Sequence, residues 1–164
     1  MKFIFVLAVF VFRSFICYAA EAPLQCASAP SSQSNDEVIF FRVSGSTNTP
    51  PVCYTVSRSG TVIKETGASR FQRRPEQPVA SERRGSIPAS QAEQIFSDVE
   101  AAMPLSALPR THCAKSVSFG TFQHVFFKGE KSPDLCGRDN EKITTLKGDL
   151  AKIMSTAYFE QAKP

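Results

Sequence analysis

The N-terminal stretch constrains the rest of the chain most, because it decides the chemistry the fold can use. Lys2 is followed by Phe3 to Phe12 (FIFVLAVFVF), an unbroken apolar run of ten residues. Small residues stand at Cys17 and Ala19, the −3 and −1 places of a cleavage after Ala19, so residues 1–19 read as a secretory signal peptide. A membrane span needs about 20 apolar residues, and Arg13 interrupts the run sooner, so no transmembrane span is expected after cleavage. Acylation at Cys17 is disfavoured by Ile16, too large for the position before a lipoprotein cysteine. The mature chain is expected in a periplasm or outside the cell.

Four cysteines stay in that mature chain: Cys26, Cys53, Cys113 and Cys136. An even count in an exported chain reads as two disulfides, with three pairings to choose from. Cys113–Cys136 is preferred because it clamps the base of a segment rich in uncommon residues, which leaves Cys26–Cys53. Zinc is disfavoured, since no Cys-x-x-Cys pair occurs. Export also changes the charge argument. The whole chain carries 19 Lys plus Arg and 15 Asp plus Glu; without Lys2 and Arg13 the balance is 17 to 15. That is no case for a nucleic-acid partner.

Residues 20–36 are small, polar and Pro-containing, and read as a flexible lead-in to a single α+β domain over 37–160. Glu37 to Val43 (EVIFFRV) is a strand whose apolar residues run together, which predicts a central position covered on both faces. Ser44 to Pro51 is a loop. Val52 to Ser57 and Thr61 to Glu65 form a hairpin through a two-residue turn at Ser59-Gly60, with Val56 opposite Ile63. Residues 67–85 read as a long surface loop with a short strand near Phe71. Its arginines, Arg70, Arg73, Arg74, Arg83 and Arg84, are either an anion-binding patch or a solvated face partly neutralised by Glu76 and Glu82.

Ser90 to Met103 is the first helix, with a Ser90/Glu93 capping box and an apolar face of Ala92, Ile95, Phe96, Val99 and Met103. The second is capped by Asp139 or Asn140, runs to about Phe159, and carries Ile143, Leu146, Leu150, Ile153, Met154 and Ala157. The order of elements predicts an antiparallel sheet of about four to five strands packed by two helices and held by two disulfides.

Few chemistries have residues to perform them. Gly-x-Ser-x-Gly, Ser-x-x-Lys and His-Glu-x-x-His are all missing. His112 and His124 lie twelve residues apart near Glu130, Asp134 and Asp139, a spacing that demands no metal site. Neither a metal nor a cofactor is expected. Cys113 beside His112 reads as half of a disulfide rather than a nucleophile, because export oxidises thiols.

The segment Cys113 to Cys136 gathers what remains. Val117, Phe119 and Thr121 alternate with Ser116, Ser118 and Gly120, which reads as a strand bent at Gly120. A second stretch, Val125 to Phe127, is closed by a turn at Lys128 to Lys131. A bridge between the cysteines would gather Lys115, Ser116, Ser118 and Asp134, with His124 on the neighbouring stretch, into a polar cluster edged by Phe119 and Phe122. One reading makes this a contact site for a partner; another has Lys115 and Asp134 pairing to stabilise the loop, with Ser132 or Asp134 capping a turn and the phenylalanines in the core. The run Cys-x-Lys-Ser-x-Ser-Phe-Gly (Cys113 to Gly120), followed by Ser-Pro-Asp-Leu (Ser132 to Leu135) and Cys136, resembles a pattern of small uncharacterised exported bacterial proteins. The resemblance spans roughly Val38 to Phe159 and implies export and an α+β domain, with no activity attached.

Two functions follow as expectations. The first is an exported, non-enzymatic binding or interaction domain, an envelope accessory or inhibitor-like protein whose partner is a protein in the envelope or outside the cell. The second is a small secreted hydrolase using His124 with Ser116 or Asp134, which requires those side chains to meet in a pocket.

Overall fold

A computed structural model describes residues 37–67, 80–116 and 118–159. The signal peptide and lead-in, Cys17, Cys26, Phe71, Arg70, Arg73, Arg74 and Val117 lie outside the described residues. The described chain forms one antiparallel sheet of seven strands and two helices, so the sheet is wider than the four to five strands expected. The strands are β1 (Val38–Val43), β2 (Val52–Ser57), β3 (Thr61–Gly67), β4 (Ala80–Ser86), β5 (Gln123–Phe127), β6 (Glu130–Lys131) and β7 (Tyr158–Phe159). They lie in the order β6-β5-β1-β2-β3-β4-β7.

The apolar run of β1 behaves as its composition predicts. Alternation along a strand puts Ile39 and Phe41 on one face and Phe40 on the other, and all three are buried. Ile39 and Phe41 join Tyr54, Val56, Val62, Val125 and Phe127 in the main core. Phe40 instead packs with Cys53 and Phe126 in a small cluster on the opposite face. Cys53 is disulfide-bonded, but its expected partner Cys26 is outside the described residues.

The hairpin register differs from the expectation by one residue. Val56 faces Val62, and Ile63 faces Thr55. The loop holds three residues, Arg58, Ser59 and Gly60, closed by Gly60 N–H donating to Ser57 O at 3.0 Å. Gly60 ends it at φ +88, where a Cβ would also lie 2.5 Å from Ile87 O. This is the turn-plus-left-handed-residue geometry of three-residue hairpins. The single-residue change moves Ile63 to the far face, where it is only half-buried.

β4 corrects the long loop predicted over 67–85. Its residues Ser81, Glu82, Arg83 and Arg84 are exposed, so no apolar alternation betrays it. Pairing with β3 from Gly67↔Ala80 to Thr61↔Ser86 makes it a strand through backbone hydrogen bonds alone.

The helices are α1 (Ala89–Ala102) and α2 (Glu141–Thr156). Ala92, Ile95, Phe96 and Val99 of α1 and Ile143, Leu146, Leu150 and Ile153 of α2 enter the main core. Each large side chain so buried contributes about 1.5–3 kcal/mol; Phe96→Ala would cost about 3–5 kcal/mol. No capping box forms. Pro88 is the N-cap, its carbonyl accepting from Ala92 N at 3.0 Å, so Ser90 is the second residue of the helix, two positions past the cap. Glu93 instead pairs with Arg58 at 3.3 Å. In α2 the expected cap is present: Asn140 Oδ1 accepts from Ile143 N at 3.1 Å. The helix stops at Thr156 rather than Phe159, because Tyr158 and Phe159 pair with Ser86 and Gly85 of β4. Met154, expected on the core stripe, is exposed. Asp149, expected nowhere, is fully buried.

No helix among the described residues is long and apolar enough to cross a membrane.

Candidate functional site

The Cys113–Cys136 bridge forms, with the two Cα atoms 6.0 Å apart. In the chain-entropy picture a loop of this length contributes roughly 3 kcal/mol. The residues it closes are less regular than a bent strand. Residues 118–119 are a turn, and strand pairing is confined to Gln123–Phe127 and Glu130–Lys131. Gly120 N–H donates to Ser116 O at 2.6 Å, and a Cβ on Gly120 would collide with that same oxygen. Glycine is needed there for the close approach rather than for a strand bend.

The loop is pinned from outside as well. The 44–48 stretch supplies Ser44 N–H to Phe122 O at 2.8 Å and Asn48 N–H to Ser118 O at 3.1 Å. Ser46 Oγ donates to Ser118 O at 2.8 Å, and Ser44 Oγ accepts from Phe122 N at 2.7 Å. These contacts hold the chain by its backbone and leave the aromatic side chains out. Phe119 is 69% exposed and Phe122 51% exposed, so the expectation that they belong to the core fails. Phe127, whose side chain points to the helices, is buried.

Lys115 and Asp134 pair at 2.5 Å, with side chains 18% and 14% exposed. Lys115 Nζ also donates to the Thr121 carbonyl and lies 4.2 Å from the Phe122 ring centroid, a cation–π distance. Asp134 Oδ1 accepts from Gln123 N at 2.8 Å. The reading in which this pair stabilises the loop therefore has direct geometric support. Ser116 and Ser118 serve the turn: Ser116 Oγ accepts from Ser118 N at 3.2 Å.

Two hollows share Asp134 as a wall. One, of about 370 Å³, is lined by Lys115, Ser116, Phe119, Asp134, Lys147 and the disulfide. The other, of about 440 Å³, is lined by Ser106, Arg110, Thr111, Phe122, His124 and Lys131 together with Ser132, Pro133 and Asp134. His124 and Ser116 thus belong to different hollows. His124 Nδ1 bonds the Ser132 carbonyl at 3.1 Å. A carbonyl can only accept, so Nδ1 carries the hydrogen and Nε2 keeps its lone pair. Burial holds the His124 pKa below the ordinary histidine value, the Ser132 carbonyl works against that, and the Lys131 charge adds to the depression. Among the described residues no hydrogen bond joins His124 to Ser116 or to Asp134. No group of three or more His, Cys, Asp or Glu side chains that could hold a metal ion occurs among the described residues.

Arg110 was not singled out from the sequence, and Ser132 only as a candidate turn cap. Ser132 is buried, accepting from Val125 N at 2.9 Å and donating to Pro133 O at 2.8 Å. It lies in the Ser-Pro-Asp stretch, whose turn chemistry was the one available signal. Arg110 lies in a connector, and nothing in its local sequence points to a cleft. Compared with known proteins, the chain matches no family model, no curated protein and no solved structure.

Proposed function

We propose that the chain is an exported, non-enzymatic interaction domain that presents its Cys113–Phe122 loop to a protein partner, as an envelope accessory or inhibitor-like protein. The observation that carries this reading is Phe119, 69% exposed at the turn of a loop held by a disulfide, an ion pair and four hydrogen bonds to the 44–48 stretch. A large aromatic side chain left in water on a preordered backbone suits recognition, because little conformational entropy remains to be lost on binding. Aromatic anchors of this kind dominate many interfaces. The disulfide and the N-terminal signal pattern support export.

The test is capture of a partner from the exported-protein fraction by the immobilised mature chain. Phe119→Ala should weaken capture by about thirtyfold, the effect of a central aromatic anchor, with an unchanged melting temperature. Capture that is indifferent to Phe119→Ala would remove the reading.

A further inference from the structure

The 440 Å³ cleft beside the loop has more positive charge than its own contacts use. Asp134 is committed on both oxygens, to Lys115 and to Gln123 N. Ser132 Oγ is occupied by Val125 N and Pro133 O. Glu130, just outside the lining, is tied to the Ser106 N–H and hydroxyl at 3.2 Å each. Arg110 and Lys131 remain. Both are exposed, and no carboxylate among the described residues pairs with either one; Lys131 only approaches the Phe126 ring, at 5.6 Å.

Accepting the interaction-domain reading above, we propose that this cleft is a carboxylate subsite, which takes an acidic side chain of the partner segment that docks on the Phe119 loop. Phe122 joins the two surfaces, since it lines the cleft and is half exposed beside the loop. The anion is a carboxylate because the proposed partner is a protein, whose anionic side chains are those of Asp and Glu. Asp134 is already answered by Lys115, so Arg110 and Lys131 leave two positive charges in the lining beside His124, and an acidic side chain is drawn to them. A guanidinium fork matches a carboxylate, and an ammonium lining the same cleft adds a point charge.

His124 makes the subsite pH-dependent. Its Nε2 is an acceptor while Nδ1–H is held by Ser132 O, so it can donate to a bound carboxylate only after taking a proton. The charged groups facing it are Lys131 and Asp134 from the β6 side, Arg110 from the connector, and Arg42, its cross-strand neighbour on β1. A bound carboxylate therefore favours the imidazolium, and binding should strengthen as pH falls through the range where His124 titrates.

The test uses NMR on the whole mature chain, with acetyl-Leu-Glu-Leu amide as probe, its Gln analogue as control, and inorganic phosphate as the competing anion. The Glu peptide should shift the His124 ring signals saturably and raise the pH at which they titrate. The Gln peptide, and the Glu peptide on Arg110→Ala/Lys131→Ala, should bind at least about tenfold more weakly. The inference is overturned if Glu and Gln peptides bind alike, if the double variant binds as well as wild type, if nothing binds at about 10 mM, or if phosphate binds better than the Glu peptide. Partner capture separates the two ideas. Loss with Phe119→Ala but not with Arg110→Ala/Lys131→Ala leaves the interaction domain standing and removes the subsite; indifference to Phe119→Ala removes the interaction domain even where the peptide binds.

Discussion

Asp134 meets Lys115 at 2.5 Å and so joins the two arms of the disulfide-closed segment. Its second oxygen takes the N–H of Gln123, the first residue of β5. One carboxylate thereby fixes where the loop ends and the sheet begins, and both side chains are largely shielded from the water that weakens surface pairs.

Removing one partner of such a pair leaves a partly buried charge without an answer. Asp134→Ala should lower stability by about 2 kcal/mol, the usual cost of losing a charged hydrogen-bond partner. Lys115→Ala combined with Asp134→Ala should cost less than the two single changes added together. Denaturant midpoints of the four proteins measure this; strictly additive losses would show that the pair does not act as a unit.

Gly120→Ala should disorder the loop without melting the domain. The added methyl collides with Ser116 O, and the nearest relief is to open the 116–120 turn. We expect a loss of about 1–3 kcal/mol, with amide exchange accelerated in residues 114–122 and unchanged in β1 and β2. Wild-type exchange in that loop would contradict the proposed need for glycine.

Asp149 predicts an unusual pH slope. It is fully buried on α2, with Lys152 Nζ 3.1 Å from Oδ1 and, among the described residues, no hydrogen-bond partner for Oδ2. Burial raises its pKa, Lys152 opposes this, and Asp98 on α1 raises it further. A folded-state pKa above the unfolded value means that the folded form holds the proton more tightly. The stability this contributes is complete below about pH 4, the unfolded value, and is lost as pH rises through the raised folded value. Asp149→Asn should therefore raise the melting temperature at pH 7 by about 4 °C, the shift that about 1 kcal/mol produces in a domain of this size. The gain should vanish near pH 4. An equal gain at both pH values would assign the effect to packing instead.

His124 should act in the opposite sense. Its folded pKa is depressed, first by burial, so its contribution is present above the unfolded value of about 6.5 and is lost as pH falls through the lower folded value. The free protein's imidazole signals should titrate below about 6.5, and Lys131→Ala should move that midpoint upward by removing a facing positive charge. A midpoint unmoved by Lys131→Ala would show that burial alone sets it.

Some of this could be read along the chain. The apolar run Ile39 to Phe41 foretold a strand buried on both faces, the Asn140 cap and the 3.6-residue stripe located α2, and the spacing of Cys113 and Cys136 suggested their bridge. These are local signals, in which neighbouring residues report their own backbone state. The pairing of Lys115 with Asp134 was also legible, because a disulfide must bring their segments together.

Other features were decided only by the tertiary structure. β4 is a strand because β3 offers it an edge, although its own side chains are all turned to solvent or too small to show a pattern. The hairpin register hangs on whether Gly60 closes a loop of two residues or three, a choice made by backbone geometry and by the nearness of Ile87. Phe119 and Phe122 have the composition of core residues and lie in water, because Ser44, Ser46 and Asn48 hold the loop by its backbone. Arg110 reaches the cleft from a connector far from His124 in sequence. Hydrophobic period and capping chemistry are properties of one segment and so can be read from it; which face stays wet, and which charges share a cleft, are properties of two segments and exist only once the sheet has assembled.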